Sequence, residues 1–231
     1  MNPTIRPFKF SLFFILLTLL APSGSAQNLT KYRDFEFGMS VGAVAKQTEA
    51  DPGSARTVHA TPELVQTLQW NRRDYFSSSP KTDSVRSIRF DFYNDQLFKI
   101  VATYGAKELA GMTAPDLIEA ISKVYGPASS PDETIAVKSG PGYEDRQKVL
   151  ARWENDAISY SLFLSSSGGE FGLIALSKTL DGKATLSVRE GERLDALAAP
   201  GLEIERQQKL VNDRRILEEK ARSVNVSNFR P

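Results

Sequence analysis

TAPDLIEAISKVYGP, Thr113 to Pro127, carries a start signal, an apolar stripe and a stop signal in fifteen residues. Thr113 can cap the first free amides, and Asp116, three residues on, completes a capping-box pair with a charge suited to the positive end of a helix. Leu117, Ile118, Ile121 and Val124 fall at i, i+1, i+4 and i+7, which predicts one buried face. Gly126 supplies a residue able to leave the helix in the left-handed region, and Pro127 forbids continuation. A weaker copy, FGMSVGAVAKQ, begins at Phe37, with Ser40 as cap and Val41, Val44 and Ala45 facing inward. Strand-like sequence follows each copy.

Working outward, SIRFDFYNDQLFKIVATY (87–104) is the clearest sheet signal. Ile88, Phe90 and Phe92 alternate with Arg89, Asp91 and Tyr93, and after the turn at Asn94-Asp95 the residues Phe98, Ile100, Ala102 and Tyr104 share a face. This predicts an antiparallel hairpin with one wet side. Thr61-Pro62-Glu63 reads as a single helical turn passing into a strand around Leu68 and Trp70. Ser78–Ser84 reads as a loop, and Ala128–Gln147 collects Pro, Gly, Ser and charges without a period and reads as a long surface loop. Strands resume at Val149–Trp153, turn at Asn155-Asp156, continue through Ile158–Leu164 and return at Phe171–Leu176.

The predicted class is therefore α+β: antiparallel sheet packed by short helices, with a helix-plus-three-strand unit occurring twice. The expected divisions are a leader (1–26), a first unit (27–110), a second unit (111–185) and a C-terminal helix with tail (186–231). Between Leu202 and Arg222, 11 of 21 residues are charged, with Glu205/Lys209, Arg214/Glu218 and Glu218/Arg222 four apart. That spacing supports a solvated helix about 30 Å long. Its narrow stripe of Leu210, Leu217, Ala221 and Val224 is expected to dock along the sheet or to pair with a partner helix.

Arg6 and Lys9, the apolar run Phe10–Leu20 and the small residues 21–26 have the form of a secretory signal peptide, so the protein is expected to be periplasmic or secreted after cleavage near Ala26. The apolar run is short for the roughly 30 Å of a bilayer core, so no membrane span is expected after cleavage. Removing it takes away two of 29 basic side chains and none of 28 acidic ones, leaving a formal charge of −1. That excludes a nucleic-acid partner held by a basic face. The absence of cysteine fits a bacterial envelope better than a disulfide-stapled extracellular domain.

Chemistry-bearing residues are sparse. His59 is the single histidine and stands among small polar residues, read as a solvated loop imidazole. With one histidine and no cysteine, neither a metal site nor a cofactor is expected. Asp91 and Asp95 are the nearest carboxylate pair, one on the wet face of a strand and one in a turn, whereas hydrolysis needs acids converging from two elements. No G-x-S-x-G, H-E-x-x-H, P-loop or dinucleotide fingerprint occurs. No catalytic residue is assigned. Trp70 and Trp153, each in a strand and close to Arg72 or Arg152, can act as recognition aromatics or as packing. The candidate binding set is Trp70, Arg72, Arg89, Asp91, Tyr93 and Trp153, its floor being the wet side of the hairpins.

FGMSVGAVAKQ and GMTAPDLIEAISKVYGPAS resemble the "G-M-S/T, helix, G-x-P" signature of small bacterial envelope modules: the outer-membrane-assembly lipoprotein BamE and the β-lactamase-inhibitor-like fold. The resemblance implies helices on one face of an antiparallel sheet and a periplasmic protein-binding or scaffold role; it transfers no site residue. The chain lacks the lipidated cysteine of the lipoprotein, and its charged C-terminal helix belongs to neither. The expected function is non-enzymatic binding of another envelope protein. The alternatives are a carboxylate-based hydrolase or sugar-processing enzyme, with two acids in a cleft, and a carrier of a small apolar ligand, with a cavity between helix and sheet.

Overall fold

The computed structural model describes residues 29–72, 83–140, 143–165 and 169–230, with backbone alone for 136–145. The expected leader and most of the serine-rich loop lie outside the described residues. A two-stranded ribbon, β1 (Lys31–Tyr32) and β2 (Phe35–Glu36), opens the chain. Then come α1 (Val41–Thr48), a 3-10 turn at Pro52–Ser54, and β3 (Arg56–His59), β4 (Val65–Asn71), β5 (Val85–Tyr93) and β6 (Gln96–Tyr104). The second half repeats the order with α2 (Ala114–Tyr125), β7 (Thr134–Gly140), β8 (Tyr143–Glu154), β9 (Ile158–Leu164) and β10 (Phe171–Ser177), and α3 (Lys178–Asn228) closes the chain.

All eight strands from β3 to β10 join one antiparallel sheet in the order β3-β4-β5-β6-β10-β9-β8-β7. The last strand of each half meets the other at the centre, so the halves run outward in mirrored sequence. The fold is α+β, and α1 and α2 are each followed by four strands rather than three. The extra strands, β3 and β7, are the two edges. β3 buries no residue fully, so it lacks the buried alternation that marks a strand. β7 and the start of β8 occupy what the sequence reads as a long loop. The helical turn expected at Thr61–Glu63 is absent: a cis Thr61-Pro62 bond turns the chain from β3 into β4.

Cross-strand register shows how the core is built. Leu68, Phe90, Ile100, Ala175, Tyr160 and Trp153 form one transverse row over six strands. Each is at most 1% exposed. Trp70, Ile88, Ala102, Leu173, Leu162 and Ala151 form the next row on the same face. Phe35 of the N-terminal ribbon, Val44 of α1 and Leu117 of α2 cover these rows. Burying each large side chain contributes roughly 1.5–3 kcal/mol, and the rows cross β6 and β10, so the two halves share one core.

The local signals act as read, with two exceptions. Ser40 Oγ accepts from Ala43 N–H at 3.2 Å and caps α1. The Asp116 carboxylate accepts from Thr113 N–H and Oγ1, both at 2.7 Å, which holds it below the usual carboxylate range. Gly126, at φ +83°, ends α2. Asn94 and Asp95 both take positive φ, as the tight turn between β5 and β6 requires. The exceptions are Val124, which is 72% exposed while Tyr125 turns inward in its place, and Phe98, which a register shift between β5 and β6 carries away from Ile100, Ala102 and Tyr104 to pack with Val65 and Ala184 on the α3 side, leaving Leu97 in the main core.

Candidate interaction surfaces

The sheet's second face carries the alternate residues. Its central row runs Gln69, Arg89, Val101, Ile174, Ser161, Arg152, and its neighbour runs Thr67, Asp91, Lys99, Leu176, Ser159, Glu154. Val101, Ile174 and Phe163 pack into a small buried cluster with Ile135 and Leu176. The Phe163 ring lies across Gly172, where an added Cβ would stand 2.2 Å from it. Charged groups frame this cluster and bind one another. Arg89 Nε is 3.2 Å from Asp91 Oδ1, and Thr67 Oγ1 donates to the same oxygen at 2.9 Å. Arg86 Nη2 donates to Glu170 at 2.7 Å. Arg152 pairs with Glu133 and donates from Nε to Ser161 at 3.2 Å.

Of the six candidate residues, Arg89 and Asp91 stand together on this face, both mostly buried. Tyr93 packs beneath α3 with Val65, Phe98, Ala184, Leu180 and Val188, because the helix crosses the end of the sheet where the wet side of the hairpin was expected to be open. Trp70 is half-buried and packs on the main core. Trp153 is 1% exposed, and its Nε1–H donates to Gly126 O at 2.9 Å and Ser122 Oγ at 3.1 Å, tying β8 to the end of α2. Arg72 is also structural: it pairs with Glu108, both side chains under a tenth exposed, and donates to Asp83 O at 2.6 Å. Neither Trp153 nor Arg72 is available to a partner. The tryptophan indole and guanidinium that sequence patterns associate with recognition serve here to satisfy buried backbone carbonyls.

The carboxylate pair separates in the same way. Asp95 Oδ1 accepts from Val41 N–H at 2.8 Å and so holds the start of α1, while Asp91 belongs to the ion-paired face. Among the described residues no group of three or more His, Cys, Asp or Glu side chains could hold a metal ion. Trp153, Tyr160, Phe90 and Phe92 fill the layer between sheet and helices. His59 is not a solvated loop residue. It ends β3, its side chain is 15% exposed, Nδ1 lies 3.1 Å from Thr61 O, and Nε2 lies 3.4 Å from Asp195 Oδ2 on α3.

That contact marks where α3 leaves the body. The helix starts at Lys178, before both the expected C-terminal unit at 186 and the charge-patterned span from Leu202, and crosses β10, β6, β5 and β3. The 13 steps from Lys178 to Gly191 advance about 20 Å, which matches four strand spacings of about 4.8 Å. Ala184, Ser187 and Gly191 are its buried residues, small enough for close approach, and the Lys178–Glu154 and Lys99–Asp181 pairs fasten its first turns. From Glu192 onward every described residue is exposed. This arm, 192–228, extends about 55 Å at 1.5 Å per residue. Docking of Leu210, Leu217, Ala221 and Val224 along the sheet does not occur. Leu197, Ile204, Leu210, Val211, Leu217 and Val224 are 53–67% exposed. Pro200 lies inside the arm and forfeits one backbone hydrogen bond. No described helix is long and apolar enough to cross a membrane.

No family model matches the chain, and no curated protein does either. Among solved structures it is similar to a cysteine-rich secretory protein from Staphylococcus aureus, with 8% identity and a TM-score of 0.27 over 62% of this chain. The match spans 44% of that protein's length, and likeness at this level carries no argument about activity or partners.

Proposed function

We propose that the protein is an exported, non-enzymatic binding or scaffold protein of the cell envelope, and that its C-terminal arm is the element that engages another macromolecule. One observation carries the reading: beyond the Asp195–His59 contact, about 50 Å of helix bearing Leu, Ile and Val residues is exposed along its whole length. A helix of this kind gains most of its stability from packing, not from propensity, and one with polar residues all round is marginal by itself. Ion pairs along it, Glu190–Arg193, Glu203–Arg206 and Arg215–Glu219, are exposed and contribute little each. The body acts as the platform from which the arm projects.

The test is photo-cross-linking in living cells with a reactive residue at Leu210, in the full chain and with Ile204→Glu and Leu217→Glu added. A discrete adduct that disappears in the doubly substituted chain is the expected result. No adduct from Leu210, Ile204 or Leu217 would refute the assignment of the arm as the binding element.

A further inference from the structure

We infer that the arm's partner is the arm of a second copy of this chain, laid antiparallel and centred between Leu210 and Val211. This rests on the proposed role of the arm and adds the identity of what it binds. Leu197, Ile204 and Val211 are seven residues apart, and so are Leu210, Leu217 and Val224. Seven residues is the heptad length with which helices pair along a seam, and each stripe fills one of the two apolar positions of that repeat. In the antiparallel register, Leu197 lies opposite Val224 of the second copy, Ile204 opposite Leu217, and Val211 opposite Leu210. The symmetry of the pair repeats all three contacts. The two stripes are offset by one residue, about 100° around the helix at 3.6 residues per turn. The change of stripe falls at the midpoint of the pair, where the arms cross.

Charge selects the direction. Between Glu192 and Arg206 the arm has four acidic and two basic side chains, and between Gln207 and Asn228 it has five basic and three acidic ones. The halves therefore carry −2 and +2. Antiparallel pairing lays each acidic half along a basic half and opposes the helix dipoles, whereas parallel pairing sets like charge on like. Glu203 stands level with Glu218 of the second copy and Arg206 with its Arg215, and one turn along the seam Glu203 meets Arg214 and Arg222, and Arg206 meets Glu218, so the attractive pairs are those one turn apart.

The chain contains no cysteine, so introduced thiols report alone. Full chains carrying Ile204→Cys or Leu217→Cys, with different tags, are purified after export and mildly oxidised separately and mixed. The expected result is a disulfide-linked heterodimer on mixing and little product from either alone. Self-linking of each variant by itself would establish a parallel pair and overturn the inference. Sedimentation of the wild-type chain at micromolar concentration should give twice the chain mass, and Leu210→Glu with Leu217→Glu should weaken dimerisation at least tenfold. Tryptophan fluorescence of that variant should stay near wild type, since Trp70 and Trp153 lie in the sheet and the substituted residues are exposed on the arm. A wild-type monomer overturns self-association. If the Leu210 photo-adduct then contains a different protein, the arm's binding role stands and this inference alone fails; if there is no adduct, both fail.

Discussion

Three glycines in α3 form a controlled series. A Cβ added at Gly182 or Gly201 meets nothing within 4 Å, but at Gly191 it would lie 2.4 Å from His59 Cε1 and Nδ1 and 2.5 Å from Thr61 O. Alanine is better than glycine in a helix interior by about 1 kcal/mol, so Gly182→Ala should stabilise the protein by up to that amount. Gly191→Ala gains the same preference and then overpacks the joint between α3 and β3, at a cost of about 1–3 kcal/mol. The imidazole can swing aside, but the Thr61 carbonyl is backbone and cannot. The two variants should differ by about 1–3 kcal/mol, with Gly191→Ala the less stable, or about 2–12 °C in melting temperature for a chain of this size. Adding His59→Ala to Gly191→Ala should recover part of the loss and no more. Urea unfolding followed by tryptophan fluorescence supplies the midpoints. A Gly191→Ala protein as stable as Gly182→Ala would refute the claim that α3 is seated against β3 at this point.

Two further outcomes test the body. Glu108→Gln removes the charge that pairs with buried Arg72 and should destabilise the fold by about 3–5 kcal/mol in urea titration. Asp83→Asn, which breaks a pair more than a third exposed, should cost far less. Tyr32, Tyr104, Tyr125 and Tyr160 are buried, and burial pushes all four phenols above their ordinary value. The folded state therefore keeps protons that the unfolded chain releases near pH 10, so this stability is complete below that pH and falls as pH rises above it. Four of the seven tyrosines should resist ionisation until the chain unfolds, as read from phenolate absorbance; early titration of all seven would contradict the packing.

How much of this was legible can be judged residue by residue. Thr113, Asp116 and Gly126 state the limits of α2 because capping acts within one helical turn. Asn94-Asp95 states the β5–β6 turn because few residues tolerate two successive positive φ values. Val124 was misplaced because four apolar residues at helical spacing do not say how wide the covered face is. β3 and β7 escaped notice as edges. The start of α3 escaped because Gly182, Ser187 and Gly191 look like loop residues, although the small size of Ser187 and Gly191 is what lets the helix approach the sheet. Trp153 and Arg72 carry no sequence mark separating a recognition residue from one that satisfies a buried carbonyl.

By itself the sequence determined the α+β class, both short helices with their caps, the central hairpins and a charged terminal helix, all set by interactions within a few residues. Only the tertiary structure decided that β6 pairs with β10 to fuse the halves, that the first turns of α3 lie across the second sheet face, and that the arm stays uncovered. Those outcomes depend on contacts between residues 75 and 136 positions apart, as Ile100 with Ala175 and His59 with Asp195 show. Their free energy comes from the shape and burial of both partners at once, and neither segment carries it alone.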